Sequence, residues 1–445
     1  MDNSIFFYFF LVLFAYIPGL IGLFKFKFYG KFPLILFSFL GMFIFHAAGS
    51  ILILYKEATQ TGIPLFSYQY IIMLIAEVVI FYIITWPYIF LRKDIEFKVD
   101  VTVRDNIIIP ILILLIVSIL FIYRFKVGSF LISDLLSGKI NASNVISYRA
   151  EKSYGVSYFS FFEWGFISFP MLLASHLLFM GLAKKRFSIL NIIVISLCFL
   201  PGILLGQKVG VLWTATMLFI TYTMYLGINN KPPIKAITMK SAIFVSAAFI
   251  PTLFIFFLYM NRTGFREVLK SMIYRIFGVY SETLAAVIPM VQSYGLAYGN
   301  TFPLIGSHPG LDARMHNFLY GFEGNAPVPA VGEGYINFGW PGFIFFAGLF
   351  FVIIVVLQEL LIRFKYGVFS YTIIAWFAYL AIYTNFIGLF ATFLSPLNYV
   401  VFLLVFMVWC IDYIFRKLAA GRVASDRDIE LKIKRFLNEN GGVPK

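Results

Sequence analysis

The chain has 445 residues and a formal net charge of +14; 61% of its residues are hydrophobic, 20% aromatic and 13% charged. That is too apolar for an ordinary soluble domain and indicates a membrane protein. The positive charge forms no basic block with a base-stacking motif, which argues against nucleic acid as a partner. Cys198 and Cys410 lie inside apolar runs, without the spacing of a disulfide framework or a metal site.

Apolar runs long enough for an α-helix to cross a bilayer fall at 4–24, 33–55, 68–91, 106–123, 158–182, 188–206, 209–227, 241–260, 342–361, 368–390 and 397–415. They predict an all-α, polytopic integral membrane protein with 11 transmembrane helices and two long external loops. The first run lacks the basic flank of a signal peptide and is followed by Lys25, Lys27 and Lys31, so it reads as a retained span with its N-terminus outside. Alternation then places 23 of the 35 Lys and Arg inside and 12 outside, the sense of the positive-inside rule.

The predicted organisation is helices one to four over 1–123, a first external loop over 124–157, helices five to eight over 158–260, a large external loop over 261–341, helices nine to eleven over 342–415 and a cytoplasmic tail over 416–445. The tail pattern IELKIKRFL reads as a short amphipathic helix. His46 and Glu77 fall at matched depth in spans two and three, which predicts a hydrogen-bonded pair. It reads as structural glue, because a proton relay would need more such groups in line.

The positive-inside rule leaves the external cations unexplained. Arg149 stands near the end of the first loop, and Lys208 at the tip of the hairpin LLGQKVGVLW. Arg262, Arg266 and Lys270 recur every four residues and share a helix face, as do Arg275 and Glu282 seven apart, a spacing that suits an ion pair. With Arg314, these arginines could assemble an anion site, since guanidinium groups bind phosphate bidentately and stay charged. A solvated helix face or lipid headgroup contacts are the plain alternative.

The second loop concentrates His308, Asp312, Arg314, His316, Glu323 and Glu333, and prolines 303, 309, 327, 329 and 341 predict rigid, irregular backbone there. It closes with VGEGYINFGWPG, residues 331–342, in which the glycines allow sharp turns and close backbone approach. Glu333 and Asn337, four apart, would face one side of a short helical turn, with Trp340 as an interfacial anchor.

On these residues the chain resembles the O-antigen polymerase family, the oligosaccharide repeat-unit polymerases of bacterial surface polysaccharide assembly. The likeness rests on many spans, a large external loop late in the chain, and the pattern Gly332, Glu333, Tyr335, Asn337, Phe338, Gly339 and Gly342 before the next span. His316-Asn317 is similar to the HN element of the related O-antigen ligases, and Gln207-Lys208 to the family's Ser-Arg turn.

The resemblance implies a GT-C-like, metal-independent glycosyltransferase without a cofactor, in the bacterial cytoplasmic membrane, with its site facing the periplasm or cell exterior. It would transfer a growing glycan from undecaprenyl pyrophosphate to a sugar hydroxyl of a lipid-linked repeat unit. Membrane lipids and a chain-length regulator protein would be further partners.

Pyrophosphate binding would fall to Arg149, Arg262, Arg266, Arg275, Arg314 and Lys208, and glycan binding to Asn317, Tyr335 and Asn337. His316 is the first choice of base, since an imidazole suits proton acceptance near neutral pH, and Glu333 the second. The sequence shows no external DxD to hold a divalent ion, so arginines would stabilise the leaving group. A ligase and a flippase of lipid-linked glycans are the alternative readings.

Overall fold

The computed structural model describes residues 3–25, 31–54, 67–92, 104–127, 159–204, 208–229, 273–301, 310–321, 326–363 and 367–385, with isolated positions elsewhere. Predicted span eight, Arg149, Arg262, His308, Glu323 and the tail lie outside the described residues. Regular structure among those described is entirely helical. Two compact units divide the chain, Met1–Phe393 and Leu394–Lys445. The second carries helical residues at 401–408, and all that follows concerns the first.

In chain order the helices are α1 (Asn3–Lys25), α2 (Pro33–Gly41, a π-helical Met42–Ala48 and Gly49–Leu54), α3 (Tyr68–Leu91) and α4 (π-helical Arg104–Ile108, then Ile109–Val127). There follow α5 (Phe159–Ala183), α6 (Ile189–Leu197), α7 (Leu200–Leu204) and α8 (Lys208–Ile228). The last are α9 (π-helical Tyr274–Gly278, then Val279–Tyr294), α10 (Leu311–Tyr320), α11 (Ala330–Arg363) and α12 (Gly367–Tyr383). Serines start two of them: Ser67 Oγ accepts the Tyr70 N–H at 3.2 Å and Ser188 Oγ accepts that of Asn191 at 3.1 Å, each satisfying a first-turn donor.

Five helical stretches are long and apolar enough to cross a bilayer: Pro33–Ile51, Tyr68–Leu91, Gly165–Ala183, Gly210–Ile228 and Ala330–Arg363. Shorter apolar helices over Phe10–Gly22, Ile109–Tyr123, Ile189–Leu204 and Gly367–Tyr383 fall on further expected spans. The chain is a polytopic, helical membrane protein.

The core is built around α12, whose residues from Val368 to Ala381 are buried, the pattern of a helix surrounded on all sides. It packs against α2, α5 and α8. Phe179 stacks on Tyr371 with centroids 4.9 Å apart, and Trp213 meets the Tyr383 ring edge-on at 5.0 Å. By contrast α1, α3, α4 and α6 keep rows of exposed apolar side chains, among them Phe14, Ile83, Ile119 and Ile189, which a bilayer would cover.

Helix ends are tied together at matched levels. Glu359 of α11 accepts from Arg92 Nη2 at 2.6 Å, Arg363 Nε at 2.8 Å and Tyr88 OH at 3.0 Å, joining the C-terminal ends of α3 and α11. His176 of α5 bonds the Asp105 carbonyl at 2.8 Å and Thr372 Oγ1 at 3.0 Å, while the Asp105 carboxylate accepts the Phe369 N–H at 3.1 Å.

Candidate functional site

The glycine-rich stretch forms a helical bend. Helical residues from Ala330 to Phe338 end at Gly339, where φ of 65° and ψ of −147° interrupt α11 before Pro341 leads into the long apolar run. The two arms cross at Gly334 and Gly342: a Cβ on Gly334 would lie 2.5 Å from the Gly342 carbonyl oxygen, and one on Gly342 would lie 2.2 Å from that of Gly334. The expected turn and close approach are thus present. Prolines 327 and 329 precede a helix, so part of the predicted irregular backbone is helical.

Asn337, expected to bind glycan, is buried, and its amide is committed to the protein. Its nitrogen donates to Thr301 Oγ1 at 2.7 Å and to the Glu333 carbonyl at 2.8 Å, and its oxygen accepts the Gly299 N–H at 2.9 Å. With Ala297 N–H on the Ile336 carbonyl and Tyr298 N–H on that of Asn337, both at 3.0 Å, it pins the 297–301 turn to the bend. Tyr335 is buried against Trp340, edge to face at 5.7 Å. Its ring supports the bend from one side.

Glu333 is only 4% exposed. Its Oε2 accepts the Leu389 N–H at 3.1 Å, and a Cβ on Gly388 would lie 2.7 Å from that oxygen. The turn following α12 therefore lies directly against the carboxylate, and a side chain at residue 388 would have to displace it. The Ala330 N–H also reaches the Thr384 carbonyl at 3.3 Å.

α9 carries Glu282, whose side chain is buried. Its described partners are the hydroxyls of Tyr274, a short bond, and Tyr320, at 2.8 Å; the side chain of Arg275, its expected partner, lies outside the described residues. Burial together with the Glu282 charge pushes the Tyr274 phenol well up. The Tyr320 ring in turn packs on His316 with centroids 4.7 Å apart. Arg314 and His316 are half-buried on α10, and Asn317 is exposed.

Gly321, at φ 74°, ends α10 by donating its N–H to the Asn317 carbonyl at 2.8 Å. Asp312 anchors the helix start: its Oδ1 accepts the Val328 N–H at 3.3 Å and its carbonyl that of Ala326 at 3.0 Å. Burial raises its carboxyl to about 6 although the Val328 N–H acts in the opposite sense.

The structure thus brings His316, Arg314, Asn317 and Glu282 onto one packed pair, α9 with α10, and places Glu333, Tyr335 and Asn337 on α11, which packs on the same α9. Arg266 and Lys270 are exposed helical residues. The backbones of Arg275 and Lys208 lie in the π-helical start of α9 and the first residue of α8; their side chains are outside the described set, with Arg149 and Arg262. No group of three or more His, Cys, Asp or Glu residues suited to a metal ion occurs among the described residues.

The expected His46–Glu77 pair is formed, with His46 Nδ1 2.7 Å from Glu77 Oε2 and both side chains buried. Its second ring nitrogen, Nε2, lies 2.6 Å from the Asn385 carbonyl, a contact not expected from the sequence. The signal available was a lone asparagine and a glycine, Asn385 and Gly388, inside an apolar run.

No family model matches the chain, and no curated protein or solved structure matches it significantly.

Proposed function

We propose that the chain is a polymerase of lipid-linked oligosaccharide repeat units, an 11-span enzyme of the bacterial cytoplasmic membrane working at its external face. The observation that carries the reading is the setting of Glu333: a buried carboxylate on a helix that doubles back onto a membrane span, packed on the helix that also supports His316 and Arg314. The tied ends of α3 and α11 suit the alternation of spans that puts both at the cytoplasmic side.

In the proposed reaction the acceptor hydroxyl oxygen bonds to the anomeric carbon as the bond from that carbon to the pyrophosphate oxygen breaks. The carrier pyrophosphate leaves with the electron pair, its charge met by arginines, and the hydroxyl proton passes to the base. His316 takes that role, its ring oriented by Tyr320, which Glu282 holds in turn. Glu333 orients the reacting sugars from the other side. Tyr335 and Asn337 shape the bend, leaving Asn317 as the exposed residue for glycan contact.

The test is the purified chain incubated with lipid-linked repeat units alone. A ladder of products is expected, lost in His316→Ala while lipid-linked substrate still binds. Translocation of the lipid-linked unit without any ladder would assign the chain to transport instead.

A further inference from the structure

The break after α12 includes one hydrogen bond whose two groups are both taken by other segments. Had the helix continued, the Leu389 N–H would donate to the Asn385 carbonyl four residues earlier. Instead the two groups are separated, and each is satisfied by a buried ionisable side chain from elsewhere. The Asn385 carbonyl faces His46 Nε2 at 2.6 Å, and the Leu389 N–H donates to Glu333 Oε2 at 3.1 Å. Between them the Ile387 N–H is still held by the Tyr383 carbonyl at 3.0 Å, and the Gly388 carbonyl begins the next turn by accepting from Thr392 N–H at 3.0 Å.

A carbonyl oxygen only accepts, so Nε2 must carry a hydrogen, and Nδ1 is left facing Glu77 with one proton between them. Glu77 thereby fixes which nitrogen reaches Asn385. The ring is held by its backbone too, within the π-helical segment of α2, the kind of irregularity that frees backbone carbonyls. Ser281 of α9 donates to the Phe45 carbonyl, a short bond, and Ser50 Oγ, itself 2.7 Å from Tyr70 OH, donates to that of His46. Asn385 Nδ2 donates to the Ala381 carbonyl at 2.7 Å, which anchors its own helix end.

We propose that His46 is a positioning residue for Glu333: by holding the Asn385 carbonyl it keeps the helix open, so that the Leu389 N–H remains available to seat the Glu333 carboxylate. This rests on the reading that Glu333 acts in the transfer reaction. Without the His46 donor the Asn385 carbonyl and Leu389 N–H can close on each other, and Glu333 loses its seat. Glu77 selects the ring tautomer and carries no proton to or from the site. Positioning therefore tolerates an amide at residue 77, whose N–H can donate to Nδ1 and keep the hydrogen on Nε2. A proton relay does not.

The experiment compares full-length His46→Phe, Glu77→Gln, Glu77→Leu, Glu333→Gln and the His46→Phe/Glu333→Gln double variant in detergent, by polymer formation and by thermal melting. Turnover by His46→Phe and Glu77→Leu is expected to fall about tenfold or more with KM within about twofold, and Glu77→Gln to keep turnover within about threefold of the native chain. The melting shift of the double variant should be smaller than the sum of the single shifts, since both act on the same broken hydrogen bond.

Equal loss in Glu77→Gln and Glu77→Leu overturns the positioning role, as do additive melting shifts. If His46→Phe does not fold, the two Glu77 variants still decide. A native chain that makes no polymer while the melting shifts remain non-additive would refute the polymerase reading and leave the link between His46 and Glu333 standing.

Discussion

Gly388→Ala puts the contact between the α12 turn and Glu333 under direct strain. The added Cβ would lie 2.7 Å from Glu333 Oε2 and 3.1 Å from its Cδ, where unstrained contacts need a few tenths of an ångström more. Two responses are open, and both are costly. If the carboxylate swings away it gives up the Leu389 N–H at 3.1 Å, a charge-assisted hydrogen bond worth about 1.5–3 kcal/mol. If the turn moves instead, the Asn385 carbonyl is drawn off His46 Nε2.

Expressed in the transition state, a loss of that size slows transfer roughly ten- to a hundredfold. Melting in detergent supplies a check that needs no activity. Gly388→Ala should destabilise the native chain by about 1–3 kcal/mol, yet far less in a Glu333→Ala background, where the clashing atoms are gone. Equal destabilisation in both backgrounds would refute the contact as the cause.

Asp312→Asn should alter the pH dependence of stability. A carboxyl raised from 3.8 to about 6 by folding contributes stability that is fully present below the lower value and lost as pH rises to the higher, so the variant should gain on the native chain between pH 4 and pH 6.5 in melting scans. Gly334→Leu should separate the arms of the α11 bend, lowering both the melting temperature and polymer yield, because the Gly342 carbonyl leaves no room for a side chain. Arginine-to-lysine changes at positions 149 and 275 should each reduce polymer formation despite retained charge, through loss of bidentate geometry; normal ladders from both would remove them from the pyrophosphate site.

What could be read in advance was what local sequence encodes. Long apolar runs have one stable form in a bilayer, so the helices over residues 33–51, 68–91 and 210–228 stand where hydropathy puts them. His46 and Glu77 were legible as a pair because two costly groups at one depth on neighbouring spans have every reason to meet. The bend at Gly339 was legible from its glycines.

The partners of the site residues were not. The hydroxyls of Tyr274 and Tyr320 that reach Glu282 were not foreseen, the second coming from another helix whose placement no periodicity encodes. Asn337 was read toward the glycan from its spacing to Glu333 and from the resemblance, and its partners Thr301 and Gly299 come together with it only once the chain folds back. The break at Asn385 and Leu389 is a tertiary event: two side chains from distant segments outcompete one backbone hydrogen bond.

The claim that this chain joins lipid-linked repeat units is tested most directly by following the carrier. With purified chain in vesicles, lipid-linked repeat units on the accessible face and EDTA present, each new glycosidic linkage should release one equivalent of undecaprenyl pyrophosphate, and Glu333→Gln should lower both yields together. Glycan crossing the bilayer still attached to its carrier, with no pyrophosphate-lipid released, would contradict it.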